Sequence, residues 1–413
     1  MELRKKSAML KPGYKQTDLG VLPEEWEVAE IEQVADVKGG KRLPLGKSLT
    51  NEVTPHPYIR IVDVYQGGVS LQDIKYVPVD AFPPIKNYRI YKDDLFITVA
   101  GTLGLVGKVP KELDGANLTE NADRLTNLKC NQDYLLWVML SPFVQAAIEE
   151  EKTTGAQPKL ALTRIKKFQF PLPPPTEQQA IAEALGAIDT LLTSQQELLA
   201  KKRALKLATQ QALLSGERRL PGFAGGWGEK TLGELSQIKT GKKNNEDKSE
   251  RGKYPFFVRS QEVERINSYS FDGEAILLPG EGNIGSIFHY INGKFDYHQR
   301  VYKVSNFLPN VSGRFVYHYM KEYFGEHAML NTVKAAVDSL RLPTFQEFFI
   351  KLPSLDEQRA IAAILSDMDA ELEALAAQLA KTQALKQGMM QDLLTGAIRL
   401  TAGAAPTSTH PIQ

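Results

Sequence analysis

Between Glu177 and Gly216 apolar residues recur on a seven-residue step, with Ile181 and Ile188 on one row and Leu185, Leu192, Leu199 and Leu213 on the companion row. This spacing predicts one long helix with a narrow apolar stripe, suited to pairing with a single other helix rather than to lying on a broad core. Pro171-Leu-Pro-Pro-Pro175 precedes it as an extended approach that cannot be helix interior, and Gly186 is its single interruption. Forty such positions would span about 60 Å at ~1.5 Å per residue, more than a compact domain asks of one helix. The same text returns 180 positions later: 22 of the 50 residues in 171–220 are identical to those in 351–400, without a gap. There the rows are Ile361, Met368, Leu375 and Met389 beside Leu365, Leu372, Leu379 and Leu393. Two copies of a helix that each need one partner most economically satisfy each other. Lys206 and Lys386 fall within the predicted seam, and Thr382 stands where the first copy has Lys202.

The repetition extends beyond the helices. Trp26 through Arg42 aligns with Trp227 through Lys243 at a constant offset, pairing Ile31 with Leu232, Val34 with Leu235, Val37 with Ile238 and Gly40 with Gly241. Each copy reads as a short helix with a buried face, running into a strand and ending in a Gly-basic loop. Tyr58–Val64 and Phe257–Val263 both lean to strand and match Arg60 with Arg259. Asp94–Gly104 and Glu274–Gly285 each read as an apolar strand, a Gly-[Thr/Asn]-apolar-Gly turn carrying Thr102 or Asn283, and a further strand. Gly20-Val-Leu-Pro23 before Trp26 also resembles Arg219-Leu-Pro-Gly222 before Trp227. The expected fold is α+β: two similar α/β domains joined by two long helices in an internal pseudo-two-fold repeat. The expected order is an N-terminal segment (1–21), a first domain (22–173), a central helical region (174–220), a second domain (221–352), a C-terminal helical region (353–400) and a flexible tail (401–413).

Composition narrows the chemistry. The 413 residues, 42% hydrophobic and 24% charged, are those of ordinary globular domains and exclude wholesale disorder. The single cysteine, Cys130, rules out a disulfide framework or a cysteine metal cluster. Met1-Glu-Leu-Arg-Lys-Lys6 lacks the apolar run of a signal peptide and no stretch approaches a membrane span, so the expectation is a cytoplasmic protein without a membrane. The net charge is only +1, with 18 basic against 20 acidic residues in 22–173 and 17 against 15 in 223–352. A nucleic-acid surface, if present, must therefore be local.

Several motifs dissolve on inspection. Gly280-Glu-Gly-Asn-Ile-Gly285 has the GxGxxG spacing, but Ser286–Ile291 and Asn292-Gly293 read as a strand and hairpin turn, so no helix N-terminus would face a pyrophosphate. Gly40–Ser48 has five residues between its glycines where a P-loop has four, with a proline among them. The histidines lack metal spacing, no Asn/Asp-Pro-Pro-aromatic tetrad or GxSxG elbow occurs, and Asp93-Asp94 reads as a solvated turn. What remains is polar and basic at loop positions: Lys38, Lys41, Arg42 and Lys47 in the first domain, and Lys239, Lys242, Lys243, Asn244 and Asn245 in the second. A solvated charged loop would look the same, and recurrence at the same place in both copies puts phosphate contact on a nearly equal footing with it. Asn121 and Arg124, and His298, Gln299 and Arg300, place groups able to read base edges on expected strand ends.

Two variable domains, each opened by a Trp-plus-Gly-basic segment and closed by Pro-Leu-Pro-Pro-Pro-Thr-Glu-Gln-Gln-Ala-Ile-Ala or Leu-Pro-Ser-Leu-Asp-Glu-Gln-Arg-Ala-Ile-Ala and a long helix, resemble the specificity subunit of type I restriction–modification enzymes over nearly the whole chain. The resemblance implies two target-recognition domains, each reading one half of a split double-stranded DNA site, held apart by an antiparallel coiled-coil pair. It implies no catalysis on this chain. Its partners would be two methyltransferase subunits, carrying S-adenosylmethionine, and restriction/translocase subunits using ATP and Mg; the chain itself would hold no cofactor and no metal. The competing readings are a non-catalytic scaffold whose paired domains bind protein, and an enzyme of unrecognised site.

Overall fold

The computed structural model describes residues 10–152, 159–282, 284–331 and 339–400; Asn283 and the expected tail lie outside them. The chain divides into two compact units, Met1–Ser194 with Leu379–Gln413 and Gln195–Gln378, so each long helix contributes one part to each unit.

In the first unit Trp26 is followed by a strand, Glu27–Glu30, then a single helical turn, Ile31–Val34, and a second strand, Asp36–Gly39. Ile31 and Val34 lie on one side of that turn and are buried, while Gln33 and Glu30 cap it reciprocally. The first of these strands pairs antiparallel with Gln169–Leu172, which closes the domain onto its own entry. This accommodates Pro171, because a two-stranded ribbon leaves the missing N–H of proline without consequence on its open side. Asp36–Gly39 is the edge of an antiparallel sheet in the order Val106–Lys108, Leu95–Thr98, Ala122–Thr126, Asp36–Gly39. A second small sheet carries Pro57–Ile59 parallel to Ala116–Leu118.

The second unit repeats this plan with one sheet in place of two. Gly228–Thr231 pairs with Phe349–Leu352. Gln237–Thr240, Val301–Ser305, Phe271–Pro279 and His289–Tyr297 follow in order, and His289–Tyr297 also pairs parallel with Tyr254–Phe257. The long strand His289–Tyr297 thus serves where the first unit uses two separate strands.

Four expectations need correction. The central helix runs Pro175–Leu214, two residues earlier than the apolar pattern indicated, because proline is tolerated in a first helical turn; Gly216, at φ +79°, follows its end. Asn292-Gly293 is no hairpin turn. It lies inside a nine-residue strand with Gly293 opposite Gly273, and these two glycines take φ +148° and +142°, where other residues would be strained. Asp94 is buried, not solvated, and its carboxylate accepts from the Tyr91 amide at 2.9 Å. The second segment expected as strand ends at Phe257, while the first keeps only Pro57–Ile59 before a 3-10 turn at Ile61–Asp63.

The helices enter the domain cores. In the first unit Ile181, Ala182 and Leu185 pack in one cluster with Trp26, Tyr134, Phe170, Leu393 and Leu394. In the second, Leu213 and Leu214 join Ile361, Ala362 and Leu365 around Phe315, Phe324 and Phe345. Six apolar residues of the first predicted seam, Ile181, Leu185, Ile188, Leu192, Leu199 and Leu213, are buried. The C-terminal copy, cleaner in sequence, is only half-buried at Leu372, Leu375 and Leu379, where lysines and a buried Thr382 share the stripe. The two seam lysines find carboxylates: Lys206 pairs with Asp369, and Lys386 with Asp189 at 2.5 Å. Each pair is the other's counterpart across the repeat.

Candidate nucleic-acid interface

In the first unit the edge strand sets Gly39 opposite Asp123, and the chain then turns beneath the connection that leads into Ala122–Thr126. A Cβ on Gly40 would stand 2.0 Å from the Thr119 carbonyl oxygen and 2.6 Å from that of Leu118, so only glycine fits. The Lys41 amide donates to the Leu118 carbonyl at 2.8 Å, which fixes the following exposed side chains of Lys41 and Arg42 beside Glu120 and Asn121. A cavity of about 670 Å³ opens there, lined among others by Lys41, Arg42, Glu120, Asp123 and Lys159. Arg42 lies 3.0 Å from Glu120 but stays 75% exposed, which leaves its charge available to an anion. Asp123 is buried, and that burial pushes its carboxyl up to about 6 against the opposing pull of Lys159.

The second unit builds the same corner from different residues. Thr240 stands opposite Tyr302, a Cβ on Gly241 would meet the Tyr297 carbonyl oxygen at 2.0 Å, and the Gln299 amide donates to the Lys243 carbonyl at 2.8 Å. The Gly-basic loop therefore abuts a strand connection in both copies. Lys242 is exposed, and Lys243 is 3.5 Å from Asp247. Glu281 gathers Arg300 at 2.8 Å and Arg259 at 3.7 Å. His298 is buried, its Nδ1 accepting from the Arg300 amide at 3.0 Å; burial, then the charges of Arg259 and Arg300, lower its pKa. It props the turn, and Gln299 and Arg300 project from it, both exposed.

Of the residues singled out in sequence, the first unit brings Lys41 and Arg42 to one cavity, with Asn121 next along the chain from its lining residue Glu120, and the second brings together Lys243, Arg259, His298, Gln299 and Arg300. Others are placed elsewhere. Arg60 is held by Asp63 at 2.6 and 2.9 Å and by the Asp73 carbonyl at 2.6 Å, which makes it an internal clamp. Lys47 pairs with Asp80 and Lys38 with Asp36 at 3.3 Å. Arg124, on the opposite sheet face from Asp123, donates to the Asn87 carbonyl at 3.0 Å. Thr102 is exposed in its turn, where its carbonyl accepts from Thr98. Lys239, Asn244 and Asn245 are exposed, and Lys239 borders a separate cavity. Sequence reasoning passed over Asp123, Lys159 and Glu281. Asp123 falls two residues before the buried Leu125, on the same strand face, and that spacing was a signal for the first.

Below each corner sits a matching clamp. Glu177 accepts from Trp26 Nε1 at 2.9 Å and from Arg399 Nε and Nη2 at 2.7 Å each. Glu357 accepts from Arg219 Nε and Nη2, both at 2.6 Å. Gln178 and Gln358 likewise donate to the carbonyls of Pro173 and Pro353 at 2.8 and 2.9 Å and accept from the amides of Asn131 and Ser312. The Glu-Gln pair repeated in sequence is thus the joint between each domain and its helix. Among the described residues there is no group of His, Cys, Asp and Glu arranged to hold a metal, and no helix long and apolar enough to cross a membrane.

Two α+β units, each presenting a Gly-basic corner and each jointed to a long helix in the same way, define a protein with two related polar surfaces on one chain. The family described as the type I restriction modification DNA specificity domain matches residues 23–201 and again 224–382. The chain belongs to that family, and with two such domains it is a type I restriction–modification specificity subunit. A Methanocaldococcus jannaschii chain provisionally named the MjaX type I restriction enzyme specificity subunit is 24% identical over 433 residues, covering 94% of this chain and 97% of that one. The Escherichia coli EcoDI type I restriction enzyme specificity subunit is 31% identical over 172 residues, 42% of this chain and 38% of that one. The solved S subunit of a type I restriction–modification system from M. genitalium superposes with a TM-score of 0.63 at 19% identity, covering 93% and 99% of the two chains, a likeness of fold.

Proposed function

We propose that each unit reads one half of a split duplex DNA site through its Gly-basic corner, and that the chain contributes recognition and assembly while catalysis resides on partner subunits. The observation that carries this reading is the duplicated corner: the same glycine, required because a Cβ would stand 2.0 Å from a carbonyl oxygen in both copies, delivers basic side chains to the same strand connection, while the residues around it differ. Shared positions suit phosphate contacts, which carry no sequence information, and divergent ones suit base edges.

The long helices form an antiparallel coiled-coil spacer in this account. Support comes from the buried seam and from the two Lys–Asp pairs. Two methyltransferase subunits, supplied with S-adenosylmethionine, would dock on this spacer, and restriction/translocase subunits using ATP and Mg would join them, in the cytoplasm where the DNA lies. Leu205 and Leu385, counterparts in the two helices, are 53% and 57% exposed, and Leu198 and Leu191 are exposed one and two heptads before Leu205. Apolar residues left exposed on heptad spacing suit further helices. Inserting one helical turn within 190–205 tests the spacer: site selection should return the same half-sequences at a changed separation, and altered half-sequences at unchanged separation would sink the idea.

A further inference from the structure

Asp123 is 6% exposed, lines the cavity of the first unit, and meets no hydrogen-bond donor among the described residues. The other charged groups lining that cavity are Lys41, Arg42, Glu120 and Lys159, and Arg42 is engaged by Glu120. A carboxylate so placed works against the fold, since burial disfavours its charged form and the charge of Lys159 offsets that only in part; its pKa, lifted by burial to about 6 against that charge, reflects the balance. Packing does not require it either. At the register-equivalent position of the second unit stands Tyr302, whose ring lies 4.1 Å from that of Phe345 and fills the corner with aromatic carbon. A residue that costs stability and lines an open cavity beside a basic loop is retained for what enters the cavity.

We infer that Asp123 is a specificity-determining residue of the first unit, accepting a hydrogen bond from the N4 amino group of a cytosine presented in the major groove. The inference rests on the reading of this corner as a DNA reader. An ionised carboxylate only accepts. Adenine shows its N6 donor beside the N7 acceptor, which would face the carboxylate unfavourably, whereas cytosine shows the amino donor alone. The guanine across the pair presents two acceptors, O6 and N7, and the exposed ammonium groups of Lys41 and Lys159 on the cavity rim match them.

The test uses the full chain assembled with its partner subunits and a pool of randomised duplexes, comparing wild type with Asp123→Leu and Asp123→Asn. Wild type should select C·G at one position of the first half-site. Asp123→Leu should erase that preference by about tenfold, and Asp123→Asn, which adds a donor, should move it toward A·T, with every other position unchanged. Thermal unfolding at pH 7.5 should find both variants at least as stable as wild type. Identical selection by all three proteins overturns the inference, as does destabilisation of both variants, which would make the carboxylate a servant of the fold. Wild type that selects no sequence at all would instead overturn the DNA-reading role itself.

Discussion

Removing the Glu177 carboxylate should loosen the joint between the first domain and the central helix more than the equivalent change at Glu357 loosens the second. Glu177 is 3% exposed. Its truncation to Ala strands the fully buried Trp26 indole N–H, an unsatisfied donor worth about 1–3 kcal/mol. It also removes both charged bonds from Arg399, whose side chain is 22% exposed and keeps Glu25 as a partner. Together these give a loss of roughly 3–5 kcal/mol, the range for breaking one side of a buried pair. At Glu357 only Arg219 is lost, since Trp227 Nε1 already lacks a partner, and roughly 2–3 kcal/mol is expected. The assay is urea unfolding of the full chain followed by tryptophan fluorescence and by hydrogen exchange of peptides covering 177–185 and 355–365. The exchange separates the two units where a single transition would not. Burial alone would raise the Glu177 pKa, but the bonds from Arg399 and Trp26 hold it below the ordinary 4.5. Its stabilisation is therefore present above that value and lost as pH falls through the lower, folded one. A Glu177→Ala loss under about 1 kcal/mol, or a larger loss at Glu357, would show that Glu177 does not act as a buried clamp.

His318 is buried, 3.0 Å from the Ser366 hydroxyl, and burial lowers its pKa to about 4 despite Asp369. The unfolded chain thus binds the proton first as pH falls from 6.5 toward 4, and about 2 kcal/mol of stability should vanish between pH 7.5 and 5, a dependence that His318→Gln removes. Arg42→Ala and Lys243→Ala should weaken binding to all DNA sequences alike and flatten the salt dependence by about one unit each. Gln299→Ala should cost roughly 1–3 kcal/mol on the selected site alone, measured by competition at two salt concentrations.

The large architecture was legible because it rests on periodicity and repetition. Ile181 to Leu213 repeat at heptad spacing and are buried, and Gly40 and Gly241 recur because a carbonyl leaves no room for a Cβ. Details that depend on a tertiary neighbour were not legible. Asn292-Gly293 has turn chemistry, yet Gly273 across the ribbon makes it strand. Arg60 and Arg259 align in sequence, but Asp63 and Asp73 turn the former inward. Asp94 looks solvated until the Tyr91 amide is found beneath it. The spacing to Leu125 put Asp123 on an inward face, but that this face opens into a cavity beside Lys41 and Lys159 depends on tertiary neighbours.

Two independent readers on one chain are tested most directly by the exchange of a single reader. Residues 223–352 would be replaced by the corresponding stretch of a relative, leaving both helices and the Glu177–Arg399 and Glu357–Arg219 pairs intact. The hybrid, assembled with its partner subunits, would then be used to select duplexes from a random pool. One half-sequence should change while the other half and the separation between them are retained. A folded hybrid that loses both half-sequences, or keeps both unaltered, would contradict independent reading.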